Sequence, residues 1–424
     1  MMSELNLTTV MHLAFLLGRT PELAQKEIEA TATILPFQWS ALMVQPNIML
    51  LKASSAQVMK TGSPSDELLH VIDRLQRRLG GATSIARLIE AVGRGKVLDA
   101  LEKIATDGDE DGKVDFGISY YGTTRIGNLG LPLKKRLKAA DHSARYVAPK
   151  EGNQLNSAQV LRNRLAAVGS DGHFQTRNKE LVVIEDGGQF WVGYTLTVQD
   201  IDSYSRRDFG LPVSDSLSGM LPPKLAQTMI NLAMDGRSID DTILYDPFCG
   251  NGRIVLEARL MGIKAYGSDI DSGKVSASVQ NLDWLANQYF LSMEQEASQI
   301  IWQHDACKPL DPQKFNQDVV IAGEPYLGRP LRQPLPKNQQ TAWLQELAGL
   351  YEGFLKTYAT DSGLKPKRFV LVFPAAKLEG GGEASLYAHL VDRLASLGYS
   401  SSIQGRYSRP DSLVCRDIVS LIHG

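Results

Sequence analysis

Apolar positions along the chain follow two rhythms, and the change between them marks its organisation. In the first half, short apolar runs alternate irregularly with amphipathic stretches. "VMHLAFLLG" reads as a buried first strand and "RTPELAQKEIEA" as a capped amphipathic helix. An apolar strand, "SALMVQPNIMLLKA", comes next, then helices around "SDELLHVIDRLQRRLGG" and "TSIARLIEAVGRGKVLDALEKIA". The acidic "TDGDEDGK" is a surface loop that separates two subdomains. Beyond it the pattern gives a strand, "DFGISYYG", a basic helix, "PLKKRLKAADHSARYV", a second helix, "SAQVLRNRLAAVG", and a hairpin, "ELVVIEDGGQFWVGYTL", turning near Asp186, Gly187 and Gly188. This mixture is α+β. The polar, breaker-rich "QDIDSYSRRDFGLPVSDSLSG" reads as a linker.

After the linker the rhythm becomes regular. "PPKLAQTMINLAM" is a helix with Pro at its start, where a missing N–H does no harm. Strand-like and helical segments then alternate. "TILYDPF", "KAYGSDID", "QIIWQHDA", "QDVVIAGEPY" and "KRFVLVFP" are the apolar strands, and a hairpin pattern, "SSIQGRYSRPDSLVCRDIVSLI", ends the chain. Five β-α repeats of this kind predict an α/β fold with a parallel sheet covered on both faces. Ligands of such sheets bind at the carboxyl ends of the strands. The expected division is 1–110 and 111–198 for two α+β subdomains, 199–218 for the linker and 219–424 for the α/β domain.

Composition narrows the class. A length of 424 residues with 43% hydrophobic and 22% charged residues is that of a globular protein of two or three domains. A net charge of −2 gives no global attraction to nucleic acid. Cys249, Cys307 and Cys415 lack metal-ligand spacing, which argues against a disulfide framework and a zinc site and fits a reducing, cytoplasmic compartment. "VMHLAFLLG" contains a His and has no basic segment before it, so it does not read as a signal peptide. No run reaches the roughly 18 apolar residues that a membrane span needs.

Candidate chemistry sits at the strand ends of the regular half. In "DPFCGNGR", Gly250 and Gly252 occupy the first strand-to-helix turn, where glycine permits a tight bend and close backbone approach by a ligand. Packing alone is the competing reason for two glycines there. The third glycine of a dinucleotide fingerprint is absent, Val255 standing in its place, which weakens a nicotinamide reading. Asp246, before the glycines, would face a positive group such as the ammonium of a methionyl moiety. Asp269 ends the next strand, 17 residues after Gly252, a position suited to the hydroxyls of a ribose. Asp271 is the helix-capping candidate, and Asp305 in "HDA" is an acceptor for an adenine amino group. At the end of a fourth strand, "GEPYLGRP" places Glu324, Pro325 and Tyr326 together.

"DPFCGNGR", "GSDID" and "HDA", in this order, resemble S-adenosylmethionine-dependent methyltransferases of the Rossmann-like class. With "GMLPPKLAQTMINLA" upstream and "YSRPDSLVCRDI" at the end, the chain more narrowly resembles the THUMP-domain tRNA guanosine N2-methyltransferase family, whose members modify the guanosine at position ten of tRNA. "LGRTPELAQKEI" and the "DFGISYYG…SAQVLRNRL" region are similar to that family's ferredoxin-like and THUMP segments. The resemblance implies S-adenosylmethionine as cofactor, held by Asp246, Phe248, Gly250, Gly252, Asp269, Asp305 and Ala306, with no metal. Two departures stand out. Asn251-Gly252-Arg253 replaces the usual Ser-Gly-Thr, and Glu324-Pro325-Tyr326-Leu327 replaces an Asp or Asn followed by Pro-Pro and an aromatic residue.

An exocyclic guanine amine is a poor nucleophile because its lone pair is delocalised into the ring. A carboxylate and a backbone carbonyl that accept its N–H bonds localise that pair, which gives catalytic roles to Glu324, the Pro325 carbonyl and, as a stacking surface, Tyr326. For tRNA the relevant charge is local. Lys113 to Glu180 holds 12 Lys/Arg against 5 Asp/Glu, with Lys134, Lys135, Arg136 and Lys138 on one predicted helix and Arg162 and Arg164 on another. The same features fit two alternatives: an N-methyltransferase acting on another base or RNA, and an RNA-binding protein with a lapsed methyltransferase site. The resemblance leaves open whether a small activator protein joins the complex.

Overall fold

The computed structural model describes residues 9–33, 38–55, 66–108, 113–169, 172–175, 177–214, 220–311, 314–361 and 364–424. The chain divides into two compact units, one of residues 1–21, 35–78 and 82–203, the other of residues 22–34, 79–81 and 204–424. Over the first 209 residues the elements are β1 (Thr9–Leu17), α1 (Pro21–Ala32), β2 (Gln38–Gln45), β3 (Ile48–Ser55), α2 (Asp66–Arg78), β4 (Ala82–Gly93), α3 (Val97–Thr106), β5 (Lys113–Tyr121), α4 (Gly130–Ala139), β6 (Ser143–Val147), α5 (Ser157–Arg162), β7 (Lys179–Asp186), β8 (Gln189–Val198) and α6 (Ile201–Phe209).

The strands of the first unit form one sheet in the order β2-β3-β1-β4-β8-β7-β5-β6. The first four give the ferredoxin-like order, and β4 pairs with β8, so the sheet runs without a break across the subdomain division expected near residue 110. Part of the acidic loop there, residues 109–112, lies outside the described residues.

Four local differences have physical causes. "SALMVQPNIMLLKA" is a hairpin and not one strand, because Pro46 and Asn47 turn the chain and Gln45 pairs with Ile48. The segment from Ala82 to Gly93 has apolar residues at helical spacing, yet it is a strand, held by ladders to β1 on one side and β8 on the other. "SARYV" leaves the basic helix to pair with β5 in parallel. The second basic helix ends at Arg162, and Arg164 sits beyond it with φ of 52°. The expected hairpin is β7–β8, turning through Gly187 and Gly188. The predicted linker contains helix α6, while its residues 215–218 lie outside the described residues.

The second unit continues with α7 (Pro223–Met234), β9 (Thr242–Asp246), α8 (Arg253–Leu260), β10 (Ala265–Asp269), α9 (Ser272–Tyr289), α10 (Ala297–Ile300), β11 (Ile301–Gln303), β12 (Asp318–Gly323), α11 (Gln340–Lys356), β13 (Phe369–Lys377), β14 (Glu383–Ser385), α12 (Leu386–Ser396), β15 (Tyr399–Tyr407) and β16 (Val414–His423). Their sheet order is β11-β10-β9-β12-β13-β16-β15, with β14 on β13. The five strands β9 to β13 are parallel and β16 is antiparallel to its neighbours. This is the predicted α/β sheet, and its central strand β9 is buried on both faces: no residue of Thr242–Asp246 is exposed. Tyr245, Tyr351, Phe354, Phe369 and Phe373 are the large side chains of its core.

Candidate active site

Strand order reverses between β9 and β12, and at such a switch point the two chains leaving the sheet diverge and open a crevice at their carboxyl ends. A cleft of about 730 Å³ lies there, lined by the ends of β9, β10 and β12, the residues after β11 and part of β16. Asp246, Phe248, Gly250, Asp269, Asp305, Ala306, Glu324, Pro325 and Tyr326 all line it.

Asp246 is 2% exposed and its Oδ1 accepts the Phe248 N–H at 3.0 Å. Burial pushes its pKa well above the ordinary carboxylate range, the Phe248 N–H opposes this, and the charges of Asp269 and Glu324 add to the rise. A cation arriving in the cleft would reverse that balance. Phe248 stands edge-on to Phe354, with ring centroids 4.9 Å apart. Asp269 organises the loop: Oδ2 accepts the Gly250 N–H at 2.9 Å and Oδ1 the Asp271 N–H at 3.0 Å. Asp271 caps α9 by accepting from Gly273 and Lys274, as its sequence position predicts. Asp305 accepts the Cys307 N–H at 3.0 Å, and Lys308 stands 3.6 Å from its other oxygen.

The two glycines of the turn have different reasons. At Gly250, φ is +52° and a Cβ would meet nothing within 4 Å, so that position faces open cleft. At Gly252, φ is +91° and a Cβ would stand 2.3 Å from Ser278 Oγ on α9. Gly252 is therefore a packing glycine, the competing reason stated for the pair, and it does not line the cleft.

Glu324 follows β12 directly, and its Oε1 accepts from Arg416 Nε of β16 at 2.6 Å. Burial raises its pKa and the Arg416 guanidinium opposes the rise. Pro325 is buried, whereas Tyr326 is 50% exposed at the cleft. Sequence reasoning missed Arg416. It stands in the quoted "YSRPDSLVCRDI", but nothing in that stretch indicates a partner 92 positions earlier. It also missed Arg253, which lines the cleft and is 5% exposed, with Nη1 donating to the Arg207 carbonyl at 2.7 Å.

The basic residues belong to the first unit. Lys134, Lys135, Arg136 and Lys138 share α4, but Arg136 is committed to Asp99 at 2.6 Å and Glu102 at 3.2 Å. Lys135 and Lys138 are exposed, as are Arg162 and Arg164.

Residues 214–334, which carry the first four strand ends of the cleft, match the UPF0020 family, described as an RMKL-like, methyltransferase domain. This part of the chain is similar to methyltransferase domains. The tRNA (guanine(10)-N2)-dimethyltransferase of Pyrococcus abyssi is 27% identical over 157 residues, 34% of this chain and 44% of that protein. The protein of the same name from Methanothermobacter thermautotrophicus is 48% identical over 64 residues, 15% of this chain and 18% of that one. The matched part thus spans less than half the length of these curated relatives. Among solved structures, TrmN from Thermus thermophilus aligns over 98% of this chain and 100% of its own, at 17% identity and a TM-score of 0.49. Among the described residues, no helix is long and apolar enough to cross a membrane.

Proposed function

We propose that the chain transfers a methyl group from S-adenosylmethionine to the exocyclic N2 of a guanosine in tRNA, at position ten as in the names of its relatives. The observation that carries this reading is the convergence of Asp246, Gly250, Asp269, Asp305 and Glu324 on one cleft at the switch point of a methyltransferase domain. The donor set fits the cofactor. Asp246 makes a single hydrogen bond among the described residues and has acceptor capacity left for an ammonium group. Gly250 leaves backbone open to a ligand, and Asp269 and Asp305 offer the carboxylates that ribose and adenine call for. The cofactor, when bound, supplies a methyl group on a positively charged sulfur.

The residues of the chain do the rest. Glu324 and the Pro325 carbonyl accept the two N–H bonds of the target amine, which turns its lone pair out of conjugation, and Tyr326 offers the exposed ring on which a flipped base can stack. As the nitrogen–carbon bond forms and the sulfur–carbon bond breaks, positive charge develops on nitrogen, and Glu324 balances it and receives the released proton. Lys134, Lys135, Lys138, Arg162 and Arg164 of the first unit bind the tRNA backbone. Nucleoside mass spectrometry of tRNA, with and without the chain, tests the reading: methylated guanosine at position ten is expected. A methylated base of another kind would replace the substrate, and no methylation of any RNA would favour a lapsed enzyme.

A further inference from the structure

The stretch "YSRPDSLVCRDI" is a sequence motif that the proposed reaction leaves without a task. Its Arg416 lies on β16, opposite Pro374 of β13, while Glu324 leaves the end of β12. β13 stands between these two strands in the sheet. Gly323 pairs with Leu371 of β13, so the Glu324 side chain reaches sideways past β13 near Val372 to Pro374 to meet the guanidinium. The contact is a short one, 2.6 Å from Nε to Oε1, between side chains only 13% and 20% exposed. A charge-assisted hydrogen bond in such surroundings fixes a carboxylate far better than an exposed pair does. Oε2 makes no hydrogen bond among the described residues, and Glu324 lines the cleft.

We infer that Arg416 is a positioning residue for methyl transfer: by holding Oε1 of Glu324 it favours the charged form of that carboxylate and turns it so that Oε2 remains as the acceptor for the target amine. The inference rests on the proposed reaction and adds a second residue to it. The surroundings require such a partner. Asp246 of β9 acts on the same site with like charge, and the hydroxyl of Tyr351 of α11 donates to the Val372 carbonyl at 2.8 Å and not to Glu324. Burial raises the Glu324 pKa and the Arg416 guanidinium opposes that rise; a protonated acid can neither attract the amine N–H nor take up its proton. Arg416 also accounts for a glutamate where shorter acids or amides are usual: the extra methylene is taken up by the sideways reach.

The test is a single-turnover pH–rate profile with saturating tRNA and S-adenosylmethionine for the parent, Arg416→Met, Arg416→Lys and Glu324→Gln, with the Glu324→Gln/Arg416→Met pair completing a cycle. Removing an opposite charge at this distance raises a carboxyl pKa by about 1–3 units. The acid limb of Arg416→Met should therefore move up by that amount, with a loss of about tenfold per unit at pH values below it. Lys, which keeps the charge without the planar fork, should return the limb most of the way. In the Glu324→Gln background Arg416→Met should cost nothing further, and cofactor affinity should stay within about twofold of the parent throughout. A limb that stays in place in Arg416→Met, or a loss that adds fully to that of Glu324→Gln, would overturn the inference. Carboxyl carbon NMR of glutamate-labelled protein, with Glu324 assigned by its absence in Glu324→Gln, gives a reading that does not need turnover. Even if the parent methylates nothing, an upward move of the Glu324 titration in Arg416→Met supports the pair, and an unmoved titration refutes it.

Discussion

Gly250 and Gly252 share one turn, so replacing each by Ala separates a ligand-facing position from a packed one. Both have positive φ, which costs an L-residue about 1–2 kcal/mol. At Gly250 that is the whole stability cost, because no atom lies within 4 Å of the new methyl. At Gly252 the methyl also meets Ser278 Oγ at 2.3 Å and its Cβ at 3.3 Å, inside a packed helix contact. Overpacking of this kind adds about 1–3 kcal/mol. Gly252→Ala should therefore cost about 2–5 kcal/mol in all, against about 1–2 for Gly250→Ala. At about 2–4 °C per kcal/mol for a domain of this size, differential scanning calorimetry should resolve the two. Ser278→Ala removes the oxygen but leaves the Cβ, so the double variant Gly252→Ala/Ser278→Ala should recover most of the overpacking and none of the φ cost. Binding should show the opposite order. The Gly250 methyl projects into the cleft and should weaken S-adenosylmethionine about 5–150-fold, the equivalent of about 1–3 kcal/mol, while Gly252→Ala below its melting range should bind within a few-fold of the parent. The reasoning is refuted if Gly252→Ala loses cofactor with its stability intact while Gly250→Ala binds normally.

Asp269→Ala removes the acceptor of the Gly250 and Asp271 N–H groups and the one proposed for the ribose, and calorimetric titration should show S-adenosylmethionine affinity lower by about 1.5–3 kcal/mol. Replacing Lys134, Lys135 and Lys138 together by Glu should weaken tRNA binding and flatten its salt dependence, whereas Arg136→Glu alone should act mainly on the Asp99 and Glu102 contacts; filter binding over a salt series distinguishes them. Glu27 is fully buried and accepts from the Gly80 N–H at 2.9 Å, the Gly81 N–H at 2.7 Å and Asn231 Nδ2 at 2.7 Å. Glu27→Ala strands these donors and should cost at least about 1–3 kcal/mol in urea unfolding. Because burial raises the folded pKa of Glu27, its stabilising contribution is full at acid pH and declines as pH rises through that raised value, so the variant should lose this component of the pH dependence.

The second unit was legible almost strand by strand, because strands buried on both faces write themselves as unbroken apolar runs and their ends collect the acids and glycines of the cleft. Asp271 as cap and the hairpin at Gly187 and Gly188 were equally plain, since short-range turn and capping chemistry decides them. The first unit was harder. Ala82 to Gly93 supports helix and strand alike until β1 and β8 are there to pair with it, and those partners lie far away in sequence. The same limit hid Arg416 from its acid and Ser278 from Gly252: each contact joins elements that only the sheet order brings together.

The helix carrying Glu27 leaves the ribosome long before the unit that houses it exists. Asn231, which binds its carboxylate, is 204 residues further on. At about 5–20 residues per second, synthesis separates the two by roughly 10–40 s. For that interval the apolar face of α1, with Leu23, Ala24 and Ile28, lacks the partners that bury it in the finished molecule, although the unit formed by the strands on either side of it is fully synthesised once residue 203 has been added. Two neighbouring parts of one polypeptide are thus finished on different clocks. Translation pauses downstream of residue 203 would lengthen the exposure of that face, and a nascent chain arrested there should be the form most readily captured by a holdase.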